Sequence, residues 1–213
     1  MFPLRDSHPS RRFPVINYLL ILFTCLVFFI QLIPPDFKEF VYQYGFVPAN
    51  FNFFNFESYK NIFYSIFLHG GLFHLFSNMW FLHIFGDNVE DRLGHLRYLF
   101  FYLAGGVAAV FSQYIFNTDS IIPMIGASGA VSAVAGLYFA SFKRARIEAL
   151  VVGFFGLWHK IELPAWFFLG YWFLTQIYSG LGALATFNSS SGGIAWFAHI
   201  GGFVFGYIVA KLI

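Results

Sequence analysis

The sequence predicts an all-α membrane protein, a bundle of six transmembrane helices with both termini in the cytoplasm. Three observations predict it. Of 213 residues, 59% are hydrophobic and only 10% are charged, and the mean hydropathy is +0.68. A soluble domain carries about 25% charged residues. The apolar residues, 33 Phe among them, gather in six runs. The basic residues sort to one side. With the N-terminus inside, Arg5, Arg11, Arg12, Arg92, Arg97, Lys143, Arg144, Arg146, Lys160 and Lys211 fall on the inner side and only Lys38 and Lys60 outside, the bias of cytoplasmic loops.

A span needs about 20 apolar residues to cross a hydrocarbon core of about 30 Å. Residues 1–14 form a short cytoplasmic segment ahead of the first span, Val15–Ile33, which Pro34-Pro35 ends. That run is long for a signal peptide and no small-residue cleavage site follows it, so it reads as a retained helix. Residues 34–65 form a long outer loop rich in Phe, Tyr and Asn, suited to the membrane interface. The second span is Ile66–Gly86, the third Tyr98–Phe116 and the fourth Ala127–Ser141. Residues 142–162 form a cytoplasmic stretch whose basic side chains suit anionic lipid. The fifth span, Leu163–Ser179, carries Pro164 in its first turn, where a missing N–H costs nothing. A small, polar outer segment, 188–193, leads to the sixth span, Ile194–Ile213. The whole, 1–213, reads as one domain. The absence of an internal repeat disfavours an inverted-repeat transporter. The single cysteine, Cys25, has no partner for an internal disulfide.

Chemistry inside these spans is sparse, which makes it readable. Ser128 lies in Gly126-Ala127-Ser128-Gly129 at the head of the fourth span, and His199 lies in the sixth. A membrane is a costly place for a histidine, so it calls for a function. Counting about 1.5 Å per residue sets Ser128 roughly 10 Å, His199 roughly 7–8 Å and His74 roughly 12 Å below the outer face. Three polar residues from three spans share one depth. Gly129, Ala130, Ser132, Ala133 and Gly136 on the fourth span, with Gly202 and Gly206 on the sixth, allow those two helices to approach closely. That packing would bring His199 to Ser128, a base to a nucleophile. The glycines flanking Ser128 leave room for a substrate backbone, and a helix N-terminus offers free N–H groups to an oxyanion. Ser112, Ser132 and Ser141 read instead as serines bonded to a carbonyl one turn back.

His74 and Asn78 are four residues apart on one face of the second span. They read either as donors of an oxyanion hole or as polar glue between helices. His69 lies near the surface, able to assist or to face interfacial water, and His83 reads as structural. All ten acids read as loop or span-end residues, so a Ser-His dyad rather than a triad is expected, and proton-coupled transport is disfavoured. His69, His74 and His199 could ligate zinc, yet no carboxylate accompanies them and His-Glu-x-x-His is absent. No metal, other cofactor or nucleic-acid partner is expected.

These residues resemble the rhomboid intramembrane serine proteases of the prokaryotic six-span type, across all six spans. His69-Gly70-Gly71-Leu72-Phe73-His74-Leu75-Phe76-Ser77-Asn78 is similar to the family's His-x-x-x-Asn second helix. Gly126-Ala127-Ser128-Gly129 is similar to its Gly-x-Ser-Gly, and His199-Ile200-Gly201-Gly202-Phe203-Val204-Phe205-Gly206 to its last helix. Glu90-Asp91-Arg92-Leu93-Gly94 resembles the family's Glu-x-Arg-x-Gly. The resemblance implies a rhomboid-like bundle in the cell membrane. It implies Ser128 as nucleophile, His199 as general base, and His74, Asn78 and the Ser128 N–H as oxyanion donors; His69 and Gly126 are further accessory candidates beside them. It implies transmembrane protein substrates cut near the outer face, and a fifth helix and a loop around Ser189 acting as gate and cap.

Two positions depart from the family. Tyr59-Lys60 stands near where many members have Trp-Arg, and Ser132 stands where many have an aromatic ring stacked on the histidine. His199 is therefore expected to be held another way, by a different ring. The alternative reading is a non-catalytic rhomboid-like protein that binds membrane helices.

Overall fold

The computed structural model describes residues 1–153, 156–185 and 193–213. The 188–193 segment and the loop around Ser189 therefore fall almost wholly outside the described residues. Among those described are eight α-helices and a three-stranded sheet. In chain order they are β1 (Phe2–Asp6), α1 (Val15–Gln31), α2 (Phe37–Tyr44), α3 (Phe56–Ser65), α4 (Leu72–Leu93), α5 (His95–Phe116), α6 (Ser128–Ser141), β2 (Arg146–Val152), β3 (Trp158–Pro164), α7 (Ala165–Ala185) and α8 (Trp196–Leu212).

The six apolar runs each became a helix. α6 is the axis of the bundle, with every residue from Gly129 to Tyr138 buried, because small side chains let α8, α5, α4 and α7 close around it. Outward-facing side chains are apolar too: Leu19, Phe23, Phe100, Ile115 and Tyr178 are each at least half exposed. That is the surface of a protein solvated by lipid rather than water. Among the described residues, α5 alone is long and apolar enough to cross a bilayer by composition, while α1, α6 and α8 are apolar but shorter, at 17, 14 and 17 residues.

The second helix begins and ends later than expected, at Leu72–Leu93 rather than Ile66–Gly86. Its last two turns carry Asp87, Glu90, Asp91 and Arg92, residues that read as loop. They stay helical because they have partners. Glu90 lies in the last turn of α4, at the span end as expected, yet it is 1% exposed. Its carboxylate accepts from the N–H groups of Ile16 (2.9 Å) and Asn17 (2.7 Å) and pairs with His95 Nδ1 at 2.5 Å. Pro14 cannot cap α1 with a side chain. Glu90 does so from α4, and its charge faces the positive end of the α1 dipole. Asn17 then ties three helices, donating to Leu82 O and accepting from Tyr98 OH. α5 follows with no linker, since Gly94, at φ +79°, turns the chain in one residue.

The stretch 142–162, read as a basic loop, is folded. β2 pairs antiparallel with β3 and with β1, in the order β1-β2-β3. Arg5 and Lys160 both pair with Glu148 (2.8 and 3.2 Å), which holds that carboxylate below the usual range. Asp6 accepts from Tyr138 OH (2.5 Å) and Asn88 Nδ2 (3.1 Å), docking the sheet under α4 and α6, and burial raises its pKa. The fifth helix consequently starts at Ala165, and Pro164 ends β3 rather than sitting in a first helical turn. The 34–65 loop is likewise folded, into α2, a 3-10 turn at Pro48–Asn50, and α3. Asp36 and Asn55 cap its two helices. Tyr59 donates to Phe53 O and Lys60 pairs with Glu57, so the Tyr-Lys pair serves the loop's own fold.

Candidate functional site

Ser128 is the first residue of α6, so its amide is among the N–H groups an α-helix cannot satisfy internally. The segment leading to it is clamped by the outer loop. Phe46 and Met124 exchange backbone hydrogen bonds (3.2 and 2.7 Å), and Gly126 N–H donates to Ser65 O at 2.8 Å. Gly126 lies at φ +125°, where L side chains are strained. A Cβ there would lie 2.8 Å from His74 Cε1 and Nε2 and 3.7 Å from Ser128 Oγ. The bare glycine is what lets the His74 ring and the Ser128 hydroxyl share one space.

His74 comes from the first turn of α4. Its Nδ1 accepts from Gly70 N–H at 3.4 Å, which leaves Nε2 as the protonated nitrogen of a neutral ring, on the Gly126 side. One turn on, Asn78 is buried, and its Nδ2 has no hydrogen-bond partner. A buried orphan donor is unusual enough to call for a function. His69 is buried within the protein, at 0% exposed, rather than facing outward. Residues before α4 turn inward rather than extending the helix, and Gln31 fixes that turn, accepting from His69 N–H (3.0 Å) and donating to His69 O (2.6 Å). The His69 ring meets His74 edge-on at 5.0 Å, and its Nε2 accepts from Ala127 N–H at 3.4 Å. His69 therefore supports the residue before Ser128 and buttresses His74.

His199 is on α8, one turn before Gly202. α8 meets α6 by backbone contact: a Cβ at Gly202 would overlap Gly129 O, and one at Gly206 would overlap Ala133 O. Ser128 Oγ and the His199 ring are not hydrogen-bonded to each other. Ser132 Oγ donates to Ser128 O at 2.6 Å, the expected bond to a carbonyl one turn back. Neither Ser112 nor Ser141 makes such a bond, and Ser141 Oγ is buried without a partner. Instead of a ring on α6, His199 has Trp172 and Trp196 at centroid distances of 6.0 and 6.1 Å. Its polar partner is a residue the sequence did not point to, Gln176 on α7, with Oε1 2.8 Å from His199 Nδ1.

A cavity of about 30 Å³ touches Ser128, Gly126, Gly129 and Ala198, enough for a water molecule. Among the described residues, no cluster of three metal-ligating side chains occurs. α4 and α6 thus bring the His74 imidazole and the Ser128 hydroxyl together around one glycine, while His199 on α8 is paired with Gln176.

A family model described as the Rhomboid domain matches residues 57–213, well over half of the chain. The chain is 30% identical over 93 residues to the presenilin-associated rhomboid-like protein, mitochondrial, of Bos taurus, covering 43% of this chain and 25% of that protein. The Homo sapiens protein of the same name is also 30% identical over 93 residues, covering 43% and 24%. The RHOMBOID-like protein 6, mitochondrial, of Arabidopsis thaliana is 28% identical over 151 residues, covering 70% of this chain and 42% of that protein. The chain spans less than half the length of these relatives.

Proposed function

The chain belongs to the rhomboid family, a helical membrane protein, and from that premise we propose that it is an intramembrane serine endopeptidase working with Ser128 and His199. Its six apolar helices (α1, α4, α5, α6, α7 and α8) cross the cell membrane with both termini in the cytoplasm, as the distribution of basic residues favours. Its substrates are single-pass membrane proteins, cut in their transmembrane segments near the outer face. The observation that carries the reading is the space at Gly126, where the His74 ring and Ser128 Oγ meet, with the unpartnered Asn78 Nδ2 one turn on from His74.

In the proposed reaction Ser128 Oγ attacks the scissile carbonyl while His199 takes its proton. His74 Nε2–H, Asn78 Nδ2–H and the Ser128 amide donate to the oxyanion. The intermediate collapses, the peptide C–N bond breaks, and His199 returns the proton to the leaving amine. Water then attacks the acyl-enzyme with His199 again as base, releasing the new carboxylate and restoring Ser128. The missing Ser128–His199 hydrogen bond fits this scheme, since such pairs often close only when substrate binds.

The test is labelling of the purified chain with a fluorophosphonate, with the modified residue mapped by mass spectrometry, beside cleavage of a model transmembrane substrate in proteoliposomes. Label on Ser128 together with cleavage is expected. Neither label nor cleavage would remove the proposal and leave a helix-binding role. Asn78→Ala adds a sharper check. It should lower kcat by about 10²–10³-fold, the typical loss of one oxyanion donor. It should leave thermal stability near wild type, because Asn78 Nδ2 gives up no hydrogen bond. A stability loss with unchanged kcat would return Asn78 to helix glue.

A further inference from the structure

Gln176 is 5% exposed, and its orientation is fixed. The group 3.2 Å from Trp172 O must be a donor, because a carbonyl only accepts, so that group is the amide Nε2. Nε2 also donates to Thr175 Oγ1 at 3.0 Å, whose own hydrogen goes to Trp172 O at 2.6 Å. The amide oxygen is thereby turned to His199 Nδ1, 2.8 Å away. Oε1 can only accept, so Nδ1 carries the hydrogen. A neutral imidazole protonated at Nδ1 leaves Nε2 as the nitrogen able to accept a proton.

We propose that Gln176 is a positioning residue, which fixes the tautomer and ring plane of His199 from α7 and makes the working unit Ser-His-Gln. The proposal rests on the reading of Ser128 and His199 as nucleophile and base. On α6, Ser132 Oγ spends its hydrogen on Ser128 O. A neutral amide does here what a carboxylate does in a soluble triad, without the cost of a buried charge in lipid.

The test uses the full chain in bicelles, labelled with ¹⁵N-histidine, and His199 is identified by its loss in His199→Gln. Wild type is expected to show His199 as the neutral Nδ1–H form. Gln176→Leu is expected to lose that preference and to lower kcat about 10–100-fold, the loss seen when a partner that orients a metal-bound imidazole is removed, with KM near wild type. Gln176→Glu, which keeps an acceptor oxygen, should restore the Nδ1–H form and most of kcat. A wild-type His199 in the Nε2–H form overturns the proposal. So does Gln176→Leu with unchanged tautomer and kcat, and so do equal losses in Leu and Glu variants. A wild-type chain with the Nδ1–H form but no Ser128 labelling would instead remove the protease reading and leave the hydrogen bond standing.

Discussion

Ser128→Ala, His199→Ala and the double variant are expected to lose turnover of a transmembrane substrate to about the same extent, on the order of 10⁶-fold each. A base with no nucleophile to activate and a nucleophile with no base are equally idle, so the second substitution removes nothing further. The residue of catalysis that survives would come from the His74 and Asn78 donors and from binding. Stability separates the two singles. Among the described residues Ser128 Oγ donates no hydrogen bond, so Ser128→Ala should melt like wild type. His199→Ala strands Gln176 Oε1 in a buried site and should cost about 1–3 kcal/mol. Single-turnover kinetics and thermal unfolding in the same detergent measure both. A Ser128→Ala chain that cleaves at the wild-type rate would end the protease reading. A double variant far slower than either single would show that the two residues do not act as a unit.

The parts of this design legible in the sequence are those written in local pattern. Apolar runs located six helices, and α1 and α6 begin at or within one residue of expectation, because entry to an apolar run coincides with a change in backbone partner. Gly126, Ser128, His74, Asn78 and His199 stood out because polar and glycine residues are conspicuous against so much Phe and Leu. What escaped depends on partners distant in sequence. β1 reads as part of a short cytoplasmic segment until it finds β2, more than 140 residues on. Glu90 reads as a span-end acid until the α1 N-terminus covers it, which lets α4 run on to Leu93. His69 was counted along a helix, but α4 begins only at Leu72 and the His69 backbone is paired with Gln31 on α1. Gln176 is a lone polar side chain in an apolar helix, and only the rotation of α7 against α8 aims it at His199.

That dependence on how helices abut makes the α6–α8 seam the place where small changes should matter most for folding. A Cβ at Gly206 would overlap Ala133 O, one at Gly202 would overlap Gly129 O, and one at Gly136 would overlap Phe203 O. These obstacles are backbone atoms, which no rotamer change can move, so relief requires the two helices to separate. Gly206→Val is expected to cost about 3 kcal/mol or more, the upper end for overpacking, and Gly206→Ala less but in the same direction. Gly182 on α7 is the control, since nothing among the described residues lies within 4 Å of a Cβ there. Gly182→Ala should stabilise by about 0.5–1 kcal/mol, the ordinary gain of alanine within a helix. Unfolding by SDS titration would read the opposite signs, and equal signs would mean that the seam is looser than the structure has it. Gly202→Ala carries a second consequence on the proposed mechanism. His199 is one turn away on the same face, so separation of α8 from α6 draws the base away from Ser128, and kcat should fall by more than the unfolded fraction accounts for.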